Sequence, residues 1–142
     1  MTRRADQRVA LLRQVQLFSK CSNRELKRVA SLVTPIDVEE GEALTREGQP
    51  GSELFVIASG RARVTLRESE IATLLPGDVF GEMALLEQGP RAATVTATTP
   101  MIIYVLEPRE LWTLLEDVPQ IGRKILKALA QRLREAEKQR YS

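Results

Sequence analysis

Phe80-Gly81-Glu82-Met83-Ala84-Leu85-Leu86, followed by Pro90-Arg91-Ala92-Ala93-Thr94, decides how this chain reads. Gly81 lacks a Cβ, so a ligand can approach its backbone closely. Glu82 to Leu86 are good formers of a single helical turn. The first amides of such a turn have no internal partner and favour an anion. A glutamate turned aside from those amides can accept hydrogen bonds from a hydroxyl. Arg91 returns after a Gly89-Pro90 turn, and a guanidinium engages two phosphate oxygens at once. A ribose next to a phosphate fits this set. The alternative is a plain Glu82–Arg91 surface ion pair, which leaves Gly81 and the small Ala84, Ala92 and Ala93 without a purpose.

Working outward, Leu75-Pro76-Gly77-Asp78-Val79-Phe80 reads as strand, turn and re-entry. Between Pro35 and Leu106, glycines at 41, 48, 51, 60, 77, 81 and 89 separate short β-rich runs. These runs are residues 54–57, 62–66, 71–75, 93–98 and 101–106. Residues 62–67 alternate apolar and polar, as a half-buried strand does. Many short strands with glycine turns and no helices between them predict an antiparallel barrel or jelly roll.

Both ends are helical in pattern. Val9, Leu12, Val15 and Leu17 predict a helix over residues 6–18. Ser22-Asn23-Arg24-Glu25 is a capping box opening a second helix, which Pro35 is expected to end. After Pro108, Leu111, Trp112, Leu114 and Leu115 form a short helix broken at Asp117-Val118-Pro119. A final helix carries Ile121, Ile125, Leu129 and Leu133 at four-residue spacing. That stripe packs on its own barrel or pairs with another copy, the first being expected. The polar residues 134–142 are expected to fray. The fold class is therefore α+β: one domain over 1–142, with N-terminal helices (1–34), an antiparallel β-roll or jelly roll (35–106) and C-terminal helices (107–142). A short phosphate-binding helix sits inside the roll.

Charge is unevenly spread although the net charge is only +2. Residues 1–28 hold eight Lys/Arg against two acids, 29–118 six against fifteen, and 119–142 seven against two. Basic ends are expected to be solvated helix faces, with nucleic acid or anionic lipid as the alternative partner. Histidine is absent, which removes His-dependent nucleophile activation and most catalytic zinc sites. The single Cys21 reads as a small buried hydrophobe. The N-terminus has no signal-peptide pattern and the longest apolar run is too short to span a membrane. A cytoplasmic protein without a membrane segment is expected.

Phe80 to Val95, FGEMALLEQGPRAATV, resembles the phosphate-binding cassette of the cyclic nucleotide-binding domain family. That family includes the bacterial catabolite activator protein, regulatory subunits of cyclic AMP-dependent protein kinase, and cyclic nucleotide-gated channels. The family pattern is F-G-E-hydrophobic-A-L, a spacer, then P-R-x-A, and this sequence departs from it nowhere. Leu17-Phe18, Gly41, Gly48, residues 54–57, Gly60 and the helices after Pro108 extend the likeness along most of the chain.

The resemblance implies that Gly81 admits the ligand, Glu82 accepts from the ribose 2′-hydroxyl, and Arg91 pairs with the cyclic phosphate. It implies that amides of Met83, Ala84, Ala92 or Ala93 complete the cradle. Serine or threonine after the arginine often favours cyclic GMP in this family; Ala92 has no hydroxyl, which tilts the ligand toward cyclic AMP, with cyclic GMP second. Val64, Leu66 and Leu74 are expected to wall the base. Leu126, Leu129, Ala130 and Arg132 are lid candidates. No catalytic residue, metal or cofactor is expected.

The function expected is a non-catalytic sensor that signals by moving its C-terminal helix, acting through a protein partner, an attached effector or a homodimer through that helix. A regulatory domain excised from a channel or kinase is the alternative. A DNA-binding regulator ranks lower, because no DNA-binding domain is expected in the length after the last helix. A metal cupin is disfavoured by the missing histidines.

Overall fold

A computed structural model describes residues 4–82 and 89–141. The predicted phosphate-binding turn after Glu82, with Met83 and Ala84, lies outside the described residues. The described residues form two compact units. Residues 32–111 form a β unit. The chain before Leu32 and after Leu111 forms a helical one.

Among the described residues the β unit contains ten strands. They are β1 (Thr34–Val38), β2 (Ala43–Thr45), β3 (Pro50–Gly51), β4 (Leu54–Ser59), β5 (Ala62–Leu66), β6 (Ser69–Leu74), β7 (Val79–Phe80), β8 (Gly89–Pro90), β9 (Thr94–Ala97) and β10 (Met101–Leu106). One four-stranded sheet runs β1-β10-β4-β7 and a second runs β2-β9-β5-β6; β3 and β8 pair separately. Every pairing is antiparallel. The inward side chains Val38, Phe55, Ile57, Phe80, Met101 and Ile103 of the first sheet pack on Ala62, Val95 and Ala97 of the second. Fully burying such side chains contributes about 1.5–3 kcal/mol each for the larger ones. This is the expected antiparallel β-roll, and β5 and β10 coincide with the expected runs.

Some expectations fail locally. The second helix stops at Ala30 rather than Pro35, with Ser31 at its C-cap. The following residues enter β1 instead. Proline disfavours helical backbone in the residue before it, and β1 is a sheet edge, where the missing N–H of Pro35 costs no ladder bond. Four of the five residues of β1 are exposed, so no apolar alternation advertised it.

The helical unit holds α1 (Arg4–Gln14), a 3₁₀ turn (Gln16–Phe18), α2 (Asn23–Ala30), the greater part of α3 (Pro108–Asp117) and α4 (Pro119–Tyr141). The helix expected over 6–18 is thus divided, with Val15 extended at ψ 122° between its two parts. The capping box forms: Ser22 Oγ accepts from the Glu25 amide at 3.2 Å, and Glu25 Oε1 accepts from the Ser22 amide at 2.7 Å. Lys124 Nζ of α4 donates to the same Oε1 at 2.5 Å, tying α2 to α4. Burial pushes the Glu25 carboxyl up, but hydrogen bonds from Lys124 and Ser22 outweigh it and hold the group below its ordinary range. Cys21 is buried, and burial raises its thiol.

The four-residue stripe of α4 does not stay on one face. Each step of four turns about 40° past a full circle. Ile121, Ile125 and Ala128 are buried, whereas Leu133 is 67% exposed and so lies off that face. Helix α4 extends over the polar residues as far as Tyr141. Arg, Glu, Ala, Lys and Gln make up residues 134–140, and all favour helix even without a buried face.

Candidate functional site

Antiparallel pairing brings the two halves of the site together. The segment 48–51 runs against 89–91: the Gly48 amide donates to the Arg91 carbonyl at 2.9 Å, and the Arg91 amide donates to the Gln49 carbonyl at 2.8 Å. Pro50 and Gly51 pair with Pro90 and Gly89. The backbone of Arg91 is therefore set by residues about forty positions earlier, and its side chain is turned inward.

That side chain is only 8% exposed. Nη2 donates to the carbonyl oxygen and to Oε2 of Glu53, both at 3.1 Å. The guanidinium carbon lies 5.4 Å from the ring centre of Phe55, within range of a cation–π attraction. Phe55 in turn stacks on Phe80 at 4.8 Å. Two glycines make the space. A Cβ at Gly51 would overlap Nε of Arg91 and come within 2.7 Å of Cζ and Nη2. At Gly81 it would meet Nη1 at 2.7 Å and the Glu53 carbonyl at 2.6 Å, and Gly81 also has φ +86°. Gly81 is thus required twice over, by conformation and by room.

Nη1 of Arg91 is buried and has no hydrogen-bond partner among the described residues. A buried unpaired donor is costly, and more so on a charged group. Arg91 lines a cavity of about 530 Å³, in the size range of small-molecule sites. Gly81, Glu82, Gly89, Pro90, Arg91, Ala92 and Ala93 line one part of the cavity. Val64, Leu74, Val79, Phe80, Val95 and Thr45 line the rest. The lining thus combines the charged Glu82 and Arg91 with the apolar Val64, Leu74, Val79, Phe80 and Val95. Thr45 Oγ1 donates to the Ala93 carbonyl at 3.0 Å, steadying the strand just after the arginine.

The structure thus brings Gly81, Glu82, Arg91, Ala92, Ala93, Val64 and Leu74 around one cavity. Leu66 is corrected: it is 38% exposed and not among the lining residues. Leu66 ends β5, one residue past Thr65, where the pairing with β9 stops; the extra residue of the β5–β6 bulge, Ile71, lies on β6 and leaves the alternation of β5 intact. Sequence reasoning missed Thr45, Gly51, Glu53 and Phe55. The only local signal was the turn-like Gly48-Gln49-Pro50-Gly51; nothing in it pointed to Arg91.

Comparison with known proteins agrees with this geometry. Residues 35–118 match the family profile described as "Cyclic nucleotide-binding domain". The chain is 27% identical over 129 residues to a CRP-like cAMP-activated global transcriptional regulator of Mycobacterium tuberculosis. That match takes in 87% of this chain and 58% of the regulator, so the chain spans little over half of that relative's length. The N-terminal domain of a transcriptional regulator from Streptomyces coelicolor superposes with a TM-score of 0.83 at 28% identity, over 90% of this chain and 95% of that one. The regulatory domain of Toxoplasma gondii PKA, crystallised with cAMP, gives 0.72 at 29% identity, over 82% of this chain and 47% of that one. Among the described residues, no helix is long and apolar enough to cross a membrane.

Proposed function

The chain belongs to the cyclic nucleotide-binding domain family, and from that premise we propose that its cavity binds a purine nucleoside 3′,5′-cyclic monophosphate, cyclic AMP in preference to cyclic GMP. The observation that carries this reading is Nη1 of Arg91: a buried cationic donor without a partner among the described residues, on an arginine that lines a cavity with apolar side chains. A cyclic phosphate supplies the missing acceptor and the charge. Glu53 holds the other side of the guanidinium, so the fork meets the ligand already oriented.

In this reading Glu82 accepts from the ribose 2′-hydroxyl. An amide of Ala92 or Ala93 donates to the phosphate, and Val64 and Leu74 contact the base. Ala92 offers no hydroxyl to a guanine amino group. The names of the Mycobacterium and Toxoplasma relatives, which both mention cAMP, support the same ligand. The chain acts by binding and not by catalysis, and its output is a shift in the position of α4 toward whatever it is attached to or pairs with.

Calorimetric titration with cyclic AMP and cyclic GMP tests the assignment. We expect a single site, with cyclic AMP the tighter ligand. Arg91→Ala is expected to weaken binding at least about a hundredfold, and Arg91→Lys by about tenfold or more, because lysine keeps the charge but loses the fork. Unchanged affinity in a folded Arg91→Ala variant removes the site.

A further inference from the structure

Glu47 has no place in the grip just described, yet it joins two of the pocket's boundaries. Its amide donates to Thr94 Oγ1 at 2.9 Å, and its Oε1 accepts from the Arg67 amide at 2.9 Å. Thr94 opens β9, directly after Arg91-Ala92-Ala93, while Arg67 stands at the tip of the β5–β6 hairpin. Leu66 pairs with Ser69, so only Arg67 and Glu68 form the turn. Both have positive φ, at 50° and 68°. A two-residue turn of this hand is ordinarily filled by asparagine or aspartate followed by glycine, because other side chains crowd their own backbone there. Neither residue of this turn is of that kind. The chain adopts it with a glutamate from another segment bonded to its first amide.

We propose that Glu47 is a positioning residue of the pocket: it clamps a strained hairpin to the strand that follows the arginine, and so sets the distance between apolar wall and anion end. Val64 and Leu74, on the two strands of that hairpin, line the wall. Thr45, two residues before Glu47, and Gly48, one after, bond to Ala93 and Arg91. One short segment therefore touches the anion end through its backbone and neighbours, and the wall through a single carboxylate. This inference rests on the reading of the cavity as a cyclic nucleotide site.

The test combines Glu47→Ala, Glu47→Gln and a relieved turn, Arg67→Asn with Glu68→Gly. Removing a charged acceptor from the amide is expected to raise hydrogen exchange at Arg67 by about tenfold. Cyclic AMP affinity is expected to fall by about three- to tenfold, on the same scale of one lost charged hydrogen bond. Ribose cyclic phosphate without a base, used as a second probe, loses less, because the anion end stays in place. Glu47→Gln, whose amide oxygen still accepts, restores most of the affinity. In the background of the relieved turn, Glu47→Ala has little further effect. Equal losses for both probes, equal losses in both turn backgrounds, or wild-type affinity and exchange in Glu47→Ala overturn the role of Glu47. A wild-type chain that binds no cyclic nucleotide overturns the reading of the cavity instead; the exchange of the Arg67 amide then still reports the clamp.

Discussion

Gly51→Ala is the sharpest probe of how Arg91 is held. Gly51 does not have a positive φ, so alanine there is free of backbone strain. Its Cβ would lie 2.7 Å from Cζ and Nη2 of Arg91, where ordinary contact begins at 3.4 Å. The guanidinium has to withdraw by more than the roughly 0.7 Å between those values, because Nε lies closer still. Displacing it that far along the line of its 3.1 Å bonds to Glu53 takes both beyond the roughly 3.5 Å at which a hydrogen bond ceases to count. The effect on stability is moderate. Glu53 is 36% exposed but Arg91 only 8%, and leaving a buried charged donor unpaired costs about 1–3 kcal/mol. Gly→Ala at a compatible site returns about 0.4–1 kcal/mol through the unfolded chain. Urea unfolding is therefore expected to shift by about 2 kcal/mol at most. Binding suffers more: a misplaced fork loses about 2–4 kcal/mol of charged hydrogen bonding, which is roughly thirty- to a thousandfold in affinity. Calorimetry with cyclic AMP reads this, with Gly89→Ala as the control. Gly89 is Gly51's pairing partner, and a Cβ there meets nothing within 4 Å among the described residues. If Gly51→Ala binds within about threefold of the wild type, the close packing of Arg91 on Gly51 has no part in holding the ligand.

Two further outcomes follow from the same geometry. Gly81→Ala should lower thermal stability as well as affinity, by about 1–3 kcal/mol, because it adds a positive-φ penalty and a clash with the Glu53 carbonyl backbone; an unshifted melting curve contradicts the strain assigned there. Lys124→Met should cost about 1–3 kcal/mol, tempered because the lysine side chain is 32% exposed while that of Glu25 is only 9% exposed. The sign of its pH dependence follows from the lowered Glu25 group. Its stabilisation is present above the ordinary carboxyl value of 4.5 and is lost as pH falls through the lower folded value. Removing Lys124 should move acid unfolding to higher pH, and a melt series from about pH 7 to 3 that superposes on the wild type contradicts this.

The elements that were legible carried their signal within a few residues. The Ser22–Glu25 box names its own helix start, β5 alternates, and the break at Pro119 separates α3 from α4. The elements that were missed or misjudged depend on neighbours. β1 is polar because it is an edge. The stripe of α4 looks continuous when counted in fours and is not once the helix has turned. Leu66 is exposed because it lies past the end of the β5–β9 pairing, which no residue type announces.

By itself the sequence determined the ligand-facing chemistry: a glycine, a carboxylate, small residues and an arginine within sixteen positions, all acting through local conformation and side-chain type. It also determined the class of fold, since strand length, glycine punctuation and helical period are local properties. Only the tertiary structure decided how the arginine is held. Glu53, Phe55 and Gly51 lie about forty positions before Arg91, and Glu47 twenty before Arg67. Their roles exist only because antiparallel pairing closes those separations. Hydrogen bonds and steric fit act over a few ångströms in space and have no counterpart in distance along the chain.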